Sequence, residues 1–255
     1  MKYKHLKGPV ISRRLGKSLG INIIPNNICS LNCVYCEAGL TSDLTLKRDE
    51  YVPTQEIIDE LDHFLKNKPD IDYITFSSTG EPTLHSGIDE IIAFLKNNYP
   101  NYNIALLTNG TAFINEELID KIKDVDLIVP SLDAVFQDTF EKINRPHEDI
   151  KISQLINALI NLREKATGKY WLEIFIIHDL NDTKNELNKF IEVINKINPD
   201  KIQLNSLDRP APEKWVKPVK QSTLEGIAEY LKKGLEENIG IDIAGRKRKV
   251  SHNKK

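Results

Sequence analysis

Apolar and polar positions along this chain fall into two kinds of block, and the blocks take turns. Apolar runs at "GINII" (20–24), "IDYITFSS" (71–78), "NIALLTNG" (103–110), "VDLIVPSLDA" (125–134), "YWLEIFII" (170–177) and "KIQLNSL" (201–207) predict six strands. Between them Ile and Leu recur at helical spacing. This predicts helices over 54–67, 88–99, 115–124, 152–166 and 183–197, and a closing helix over 221–237. Pro53 stands where a helix entrance tolerates it, and Thr183 is placed to cap the fifth helix.

Strands that alternate with helices require right-handed crossovers and therefore a parallel sheet. Near-continuous apolar strands agree, because both faces of such a sheet are covered. The expectation is an α/β chain, either an open doubly wound sheet or a curved partial barrel, with its working loops at the carboxyl ends of the strands. The polar and reactive residues gather at those ends: a cysteine loop after strand one, "STGEPT" after strand two, "TNGT" after strand three, "SLDA" after strand four and "NSLDRP" after strand six.

Composition adds little to this outline. The 255 residues are 28% charged and 40% hydrophobic, which describes an ordinary globular protein. No apolar run approaches the ~20 residues that span a bilayer. No apolar segment follows the basic start to make a secretory signal, and three unpaired cysteines fit a reducing cytoplasm. Residues 1–245 read as one domain, with 246–255 a basic tail.

Charge changes the picture more. The net charge of −2 hides six basic side chains and no acid in residues 1–20, and six more basic residues in the last ten. If the ends lie together, they make a basic region suited to a polyanion such as RNA. Two solvated ends are the plainer reading.

All three cysteines lie in "ICSLNCVYCEAG" (28–39), spaced C-x-x-x-C-x-x-C. An odd count excludes a closed disulfide framework. Three thiolates wrap a metal centre and leave a coordination position open: zinc would take a fourth protein ligand, but no His lies in the loop. A 4Fe-4S cluster on three cysteines keeps one iron free.

This spacing resembles the radical S-adenosylmethionine (radical SAM) superfamily, with Tyr35 before the last cysteine and the loop after the first strand of a six-fold β/α chain. The stretches "GPVISRRLGKSLGINIIPNNICSLNCVYCEAG", "STGEPTL", "TNGT", "SLDA" and "LNSLDRP" are similar to a small branch of Fe-S oxidoreductases grouped with wyosine-type tRNA synthetases. The resemblance implies a (β/α)6 partial TIM barrel, with Cys29, Cys33 and Cys36 holding one 4Fe-4S cluster. The fourth iron would chelate the methionine moiety of SAM. One electron, from a donor of flavodoxin or ferredoxin type, would then release a 5′-deoxyadenosyl radical that abstracts hydrogen from a substrate.

By the same resemblance Thr79, Gly80 and Glu81 would receive the SAM amino group. Gly80 would permit close backbone approach to the ligand, and Glu81 would offer a carboxylate to an ammonium. Asn109, Ser131 and Asp133 would contact ribose or the methionine carboxylate, Tyr35 would contact adenine, and Asn205 would reach the same end of the ligand. A turn former and a helix cap are the plainer readings of Asn109 and of Ser131 with Asp133. Arg13, Arg14, Arg145 and Arg209 are candidates for gripping a carboxylate or phosphate of the substrate, against surface ion pairing as the alternative.

No further cysteine exists for a second cluster, a methyl-carrying thiol or a thiyl relay. The archaeal wyosine synthetases bind a second cluster, so their pyruvate condensation does not transfer with the scaffold. The substrate expectations are a nucleotide in tRNA or other RNA, or else a small metabolite. The rival from another class is a non-catalytic metal-cluster protein that binds RNA.

Overall fold

A computed structural model of the protein describes residues 3–12 and 14–244. Arg13 and the basic tail at 246–255 lie outside the described residues.

The chain opens with a hairpin, β1 (Leu6–Ser12) and β2 (Gly16–Ile21), then makes a long loop containing a two-residue ladder of β3 (Ile28–Cys29) with β4 (Asp43–Leu44). Next come α1 (Thr54–Leu65), β5 (Tyr73–Phe76), α2 (Ile88–Asn98), β6 (Asn103–Thr108), α3 (Glu117–Ile122) and β7 (Leu127–Pro130). The second half holds α4 (Gln137–Ile143), α5 (Ile152–Lys165), β8 (Lys169–Phe175), α6 (Lys184–Ile197), β9 (Lys201–Asn205), α7 (Gln221–Lys232) and β10 (Gly240–Ile243).

Eight strands form one sheet in the order β1-β2-β5-β6-β7-β8-β9-β10. Only the edge strand β1 is antiparallel; the ladder from β2 to β10 is parallel throughout. The sheet does not close, so the expected partial barrel is the fold. The six expected strands correspond to β2 and β5 to β9, and β10 extends their parallel ladder by one. The first expected strand is displaced: the ladder uses Gly16–Ile21, and residues 22–24 already belong to the loop.

Strand residues point alternately to two layers. On the outer face Leu19, Ile21, Ile74, Phe76, Ile104, Leu106, Ile128, Leu172, Ile202 and Leu204 are at most 1% exposed. They pack against helix stripes such as Ile57, Leu61 and Leu65 of α1 and Leu155, Leu159 and Leu162 of α5. The cap at Thr183 is as expected: its side chain accepts from Glu186 N at 3.3 Å.

On the inner face Ala105, Leu127 and Val129 form a separate small cluster with Leu15, against which Tyr73, Leu107 and Trp171 pack. Leu15 comes from the β1–β2 turn. That turn lies at the amino ends of the parallel strands, so Leu15 plugs the barrel from below.

Candidate functional site

The cysteine loop is pinned on both sides. The β3–β4 ladder and the bond from Thr45 N to Cys29 O (2.9 Å) close it upon itself. Asn32 N donates to Asn144 O and Val34 N to Ile143 O, both at 2.9 Å, which fastens the loop to the end of α4. The three thiols consequently line one cavity of about 370 Å³ at the carboxyl rim of the strands.

Burial pushes all three thiols up, Cys29 to about 12 and Cys33 well above its ordinary value. Thiols so placed stay protonated unless a cation joins them, and a metal centre supplies that cation. Among the described residues, the ligand atoms that converge within 4.8 Å of one another belong to His178, Asp179 and Asp182 on the surface, and the cysteine sulfurs are not so close. A single zinc would bring its sulfurs within roughly 4 Å of each other. Three thiols with no histidine in their loop suit a 4Fe-4S cluster, which would take them and keep one iron open.

Two asparagines face these sulfurs. Asn109 Nδ2, just beyond β6, donates to Cys29 Sγ at 3.4 Å and to Ser30 Oγ at 2.9 Å. Asn144 Nδ2, at the end of α4, donates to Cys33 Sγ at 3.4 Å and to Asp133 Oδ2 at 2.8 Å. Amide donors aimed at ligating sulfur stabilise its negative charge and tune the centre.

The "STGEPT" segment packs on the cysteine loop and also lines the cavity. A Cβ on Gly80 would lie 1.9 Å from Ile28 O, so glycine is required to let this backbone lie against the cysteine loop. Glu81 is buried and accepts from Thr83 N, Thr83 Oγ1, Thr108 Oγ1 (2.6 Å) and Asn109 N (2.7 Å). Burial raises its pKa while these bonds oppose the rise. Its carboxylate is thus already engaged, locking the ends of β5 and β6 to each other. Thr79 is likewise tied back, through Oγ1 to Ile24 O at 3.1 Å.

Asp133 does not line the cavity. It lies 2% exposed beneath Tyr35, accepting from Phe175 N (2.8 Å), Asn144 and the Tyr35 hydroxyl. Burial raises its carboxyl to about 6. The Tyr35 ring stacks on Phe175 at 3.8 Å. Asp133 therefore supports Tyr35 and Asn144 from behind, because a buried carboxylate must be met by donors. Asn205 also lies off the cavity; its Oδ1 accepts from Ser206 N. The structure thus brings Tyr35, Thr79, Gly80, Glu81, Asn109 and Ser131 to the cavity with the cysteines, and withholds Asp133 and Asn205.

The arginines also sort differently from expectation. Arg145 pairs with Glu213 at 2.7 Å, and Arg209 lies exposed 3.5 Å from Glu37; neither lines the cavity. Arg14 does line it, reaching up beside the Leu15 plug to pair with Glu173 of β8. The sequence reading missed Glu173. Its signal was a single acid inside the otherwise apolar run "YWLEIFII".

An open parallel barrel with three thiols at its carboxyl rim, around a position left for a further ligand, defines a metallocofactor-dependent α/β barrel. The Radical SAM superfamily model matches residues 23–193, and the chain belongs to the radical SAM superfamily, whose enzymes use SAM and a 4Fe-4S cluster. It is 38% identical to "GTPase Obg" of Brachyspira hyodysenteriae over 243 residues, covering 95% of this chain and 35% of that protein. It is 35% identical to the UPF0026 protein MJ1312 of Methanocaldococcus jannaschii over 215 residues, covering 84% of this chain and 66% of that one. The chain therefore spans about a third of the first relative's length and 66% of the second's. Among solved structures, TYW1 with a lysine-pyruvate adduct bound superposes with a TM-score of 0.58 at 20% identity, over 86% of this chain and 74% of that one. No described helix is long and apolar enough to cross a membrane.

Proposed function

We propose that this chain carries one 4Fe-4S cluster on Cys29, Cys33 and Cys36, binds SAM in the adjoining cavity and abstracts hydrogen from a nucleotide in RNA. The observation that carries the first part is the convergence of three partly buried thiols from one pinned loop on a single cavity, which no histidine or lysine among the described residues lines. When bound, SAM and the cluster supply a 5′-deoxyadenosyl radical that takes a hydrogen atom from the substrate.

The chain's own residues provide the setting. Asn109 and Asn144 offset the charge of Cys29 and Cys33, while Glu81 and Gly80 hold the rim loops in register around the cysteines. Tyr35, Thr79 and Ser131 wall the space that SAM would fill. A small donor protein of flavodoxin or ferredoxin type would deliver the electron from the outer side of the loop. The TYW1 structure contains a lysine-pyruvate adduct. Among the described residues no lysine lines the cavity here, so no residue of this chain is proposed to hold such an adduct.

RNA is favoured as substrate by the branch that the motifs resemble. A small metabolite is the second reading, and the Arg14–Glu173 pair favours it, since a charged pair inside the cavity suits a compact polar ligand.

The test is anaerobic purification with iron, sulfide and zinc analysis, followed by SAM and dithionite. About four irons per chain and 5′-deoxyadenosine are expected, with both lost on replacing any of the three cysteines by alanine. Zinc without deoxyadenosine overturns the reading.

A further inference from the structure

A second concave feature lies on the same rim, where the segment after β8 meets the loop between β9 and α7. It is a groove of about 510 Å³ lined by Ile177, His178, Trp215, Lys217, Val219 and Lys220, among others. Trp215 is 50% exposed. It does not dangle: its neighbour Val216 is buried with Val34, Ile143, Phe175 and Ile177, and Val216 N donates to Glu213 O at 3.1 Å. Glu213 is in turn held by Arg145, and Val219 N by Ser206 Oγ at 2.9 Å. A large indole is thus presented outward on an anchored turn.

Lysines outnumber acids around it. Lys214, Lys217 and Lys220 are exposed and make no ion pair with another described residue. Asp179, the carboxylate on the groove wall, faces His178 at 3.6 Å. Unpaired lysines about an exposed aromatic are poor material for a protein interface, which is depleted in lysine. They suit a single-stranded nucleic acid, whose bases stack on aromatic rings while lysines follow the phosphates.

Position links the groove to the cavity. Val216 shares its small core with Val34, which sits between Cys33 and Tyr35, and Arg209 of the same loop reaches Glu37 on the cavity wall. The cavity beside the cysteines is about 370 Å³, too small for a duplex, so a target nucleotide would have to be presented unpaired at its mouth, next to SAM. A flanking base then needs a platform beside the mouth.

We infer that the loop between β9 and α7 is an RNA-docking surface: Trp215 stacks an unpaired base next to the target, and Lys214, Lys217 and Lys220 hold its phosphates. This rests on the RNA reading above and moves its footing from the chain ends to a defined groove.

The test is anisotropy of a labelled single-stranded 12-nucleotide RNA, titrated with the full anaerobically loaded chain at several salt concentrations. Trp215→Ala is expected to weaken binding roughly 10- to 100-fold, with Trp215→Phe retaining most of it. Replacing the three lysines by alanine is expected to lower the salt slope by about 2. Unchanged affinity and slope in these variants overturn the inference. So does absence of RNA binding by a wild-type chain that still makes 5′-deoxyadenosine. RNA binding without deoxyadenosine removes the radical reading and leaves the surface standing.

Discussion

The two faces of the sheet are made from the same strands yet obey different rules. The outer face is a continuous apolar layer against the helices, with almost every side chain out of contact with water. The inner face begins apolar at the Leu15 plug, then turns polar, with the Arg14–Glu173 pair, Ser131 and Asn109 before the cysteines. An ion pair in such a place is no more stabilising than apolar residues of its size. The contrast teaches where selection for packing ends and the working chamber begins.

The contrast breaks hardest from outside. Phe76→Ala should cost about 3–5 kcal/mol in urea melts, because it opens a hole in the close-packed layer. Inside, Glu173→Ala should cost about 2–3 kcal/mol, since Arg14 is left without its partner in a largely buried position. The double change Arg14→Met with Glu173→Leu should restore stability while substrate turnover stays lost. Recovery of both would reduce the pair to a packing device.

Smaller effects sharpen the picture nearer the thiols. Asn144→Ala removes a donor to Cys33, so the reduced, more negative cluster is less stabilised. Its potential should fall by a few tens of millivolts in an EPR-monitored titration. A fold defect alone would leave the potential of the surviving fraction where it was.

The least effect concerns Asp133, whose carboxyl is raised to about 6 in the folded chain. The folded state takes up this proton before the unfolded one does, so the group's contribution to stability rises as pH falls through about 6. Between about pH 7.5 and pH 5, metal-free wild type should gain about 1.4 kcal/mol relative to Asp133→Asn. A gap that stays constant with pH would place the titration elsewhere.

Much of this was readable from the chain. Long apolar runs and Ile/Leu spacing located the parallel strands β2 and β5 to β9, because each is long or strongly patterned. Five short or edge elements escaped. β1 is largely exposed, β3 and β4 have two residues each, β10 is a half-exposed edge strand, and α4 has seven residues, too few for a period to show. The cysteines needed only their spacing.

Residues just past a strand were harder. Ser131 and Asp133 are two positions apart, yet one lines the cavity and the other turns beneath Tyr35. Where strand geometry ends, the backbone path decides direction, and alternation no longer informs. Glu173 was missed for the opposite reason: its strand was recognised, but its inward register depends on pairing with neighbours in the sheet.

Leu15 carries one last consequence. A core residue donated by an exposed edge hairpin ties that hairpin to the barrel floor: Leu15 is 5% exposed and packs on Ala105, Leu127 and Val129. Trimming it to alanine would loosen the hairpin and with it the hold on neighbouring Arg14, so damage at the floor would be felt in the chamber above.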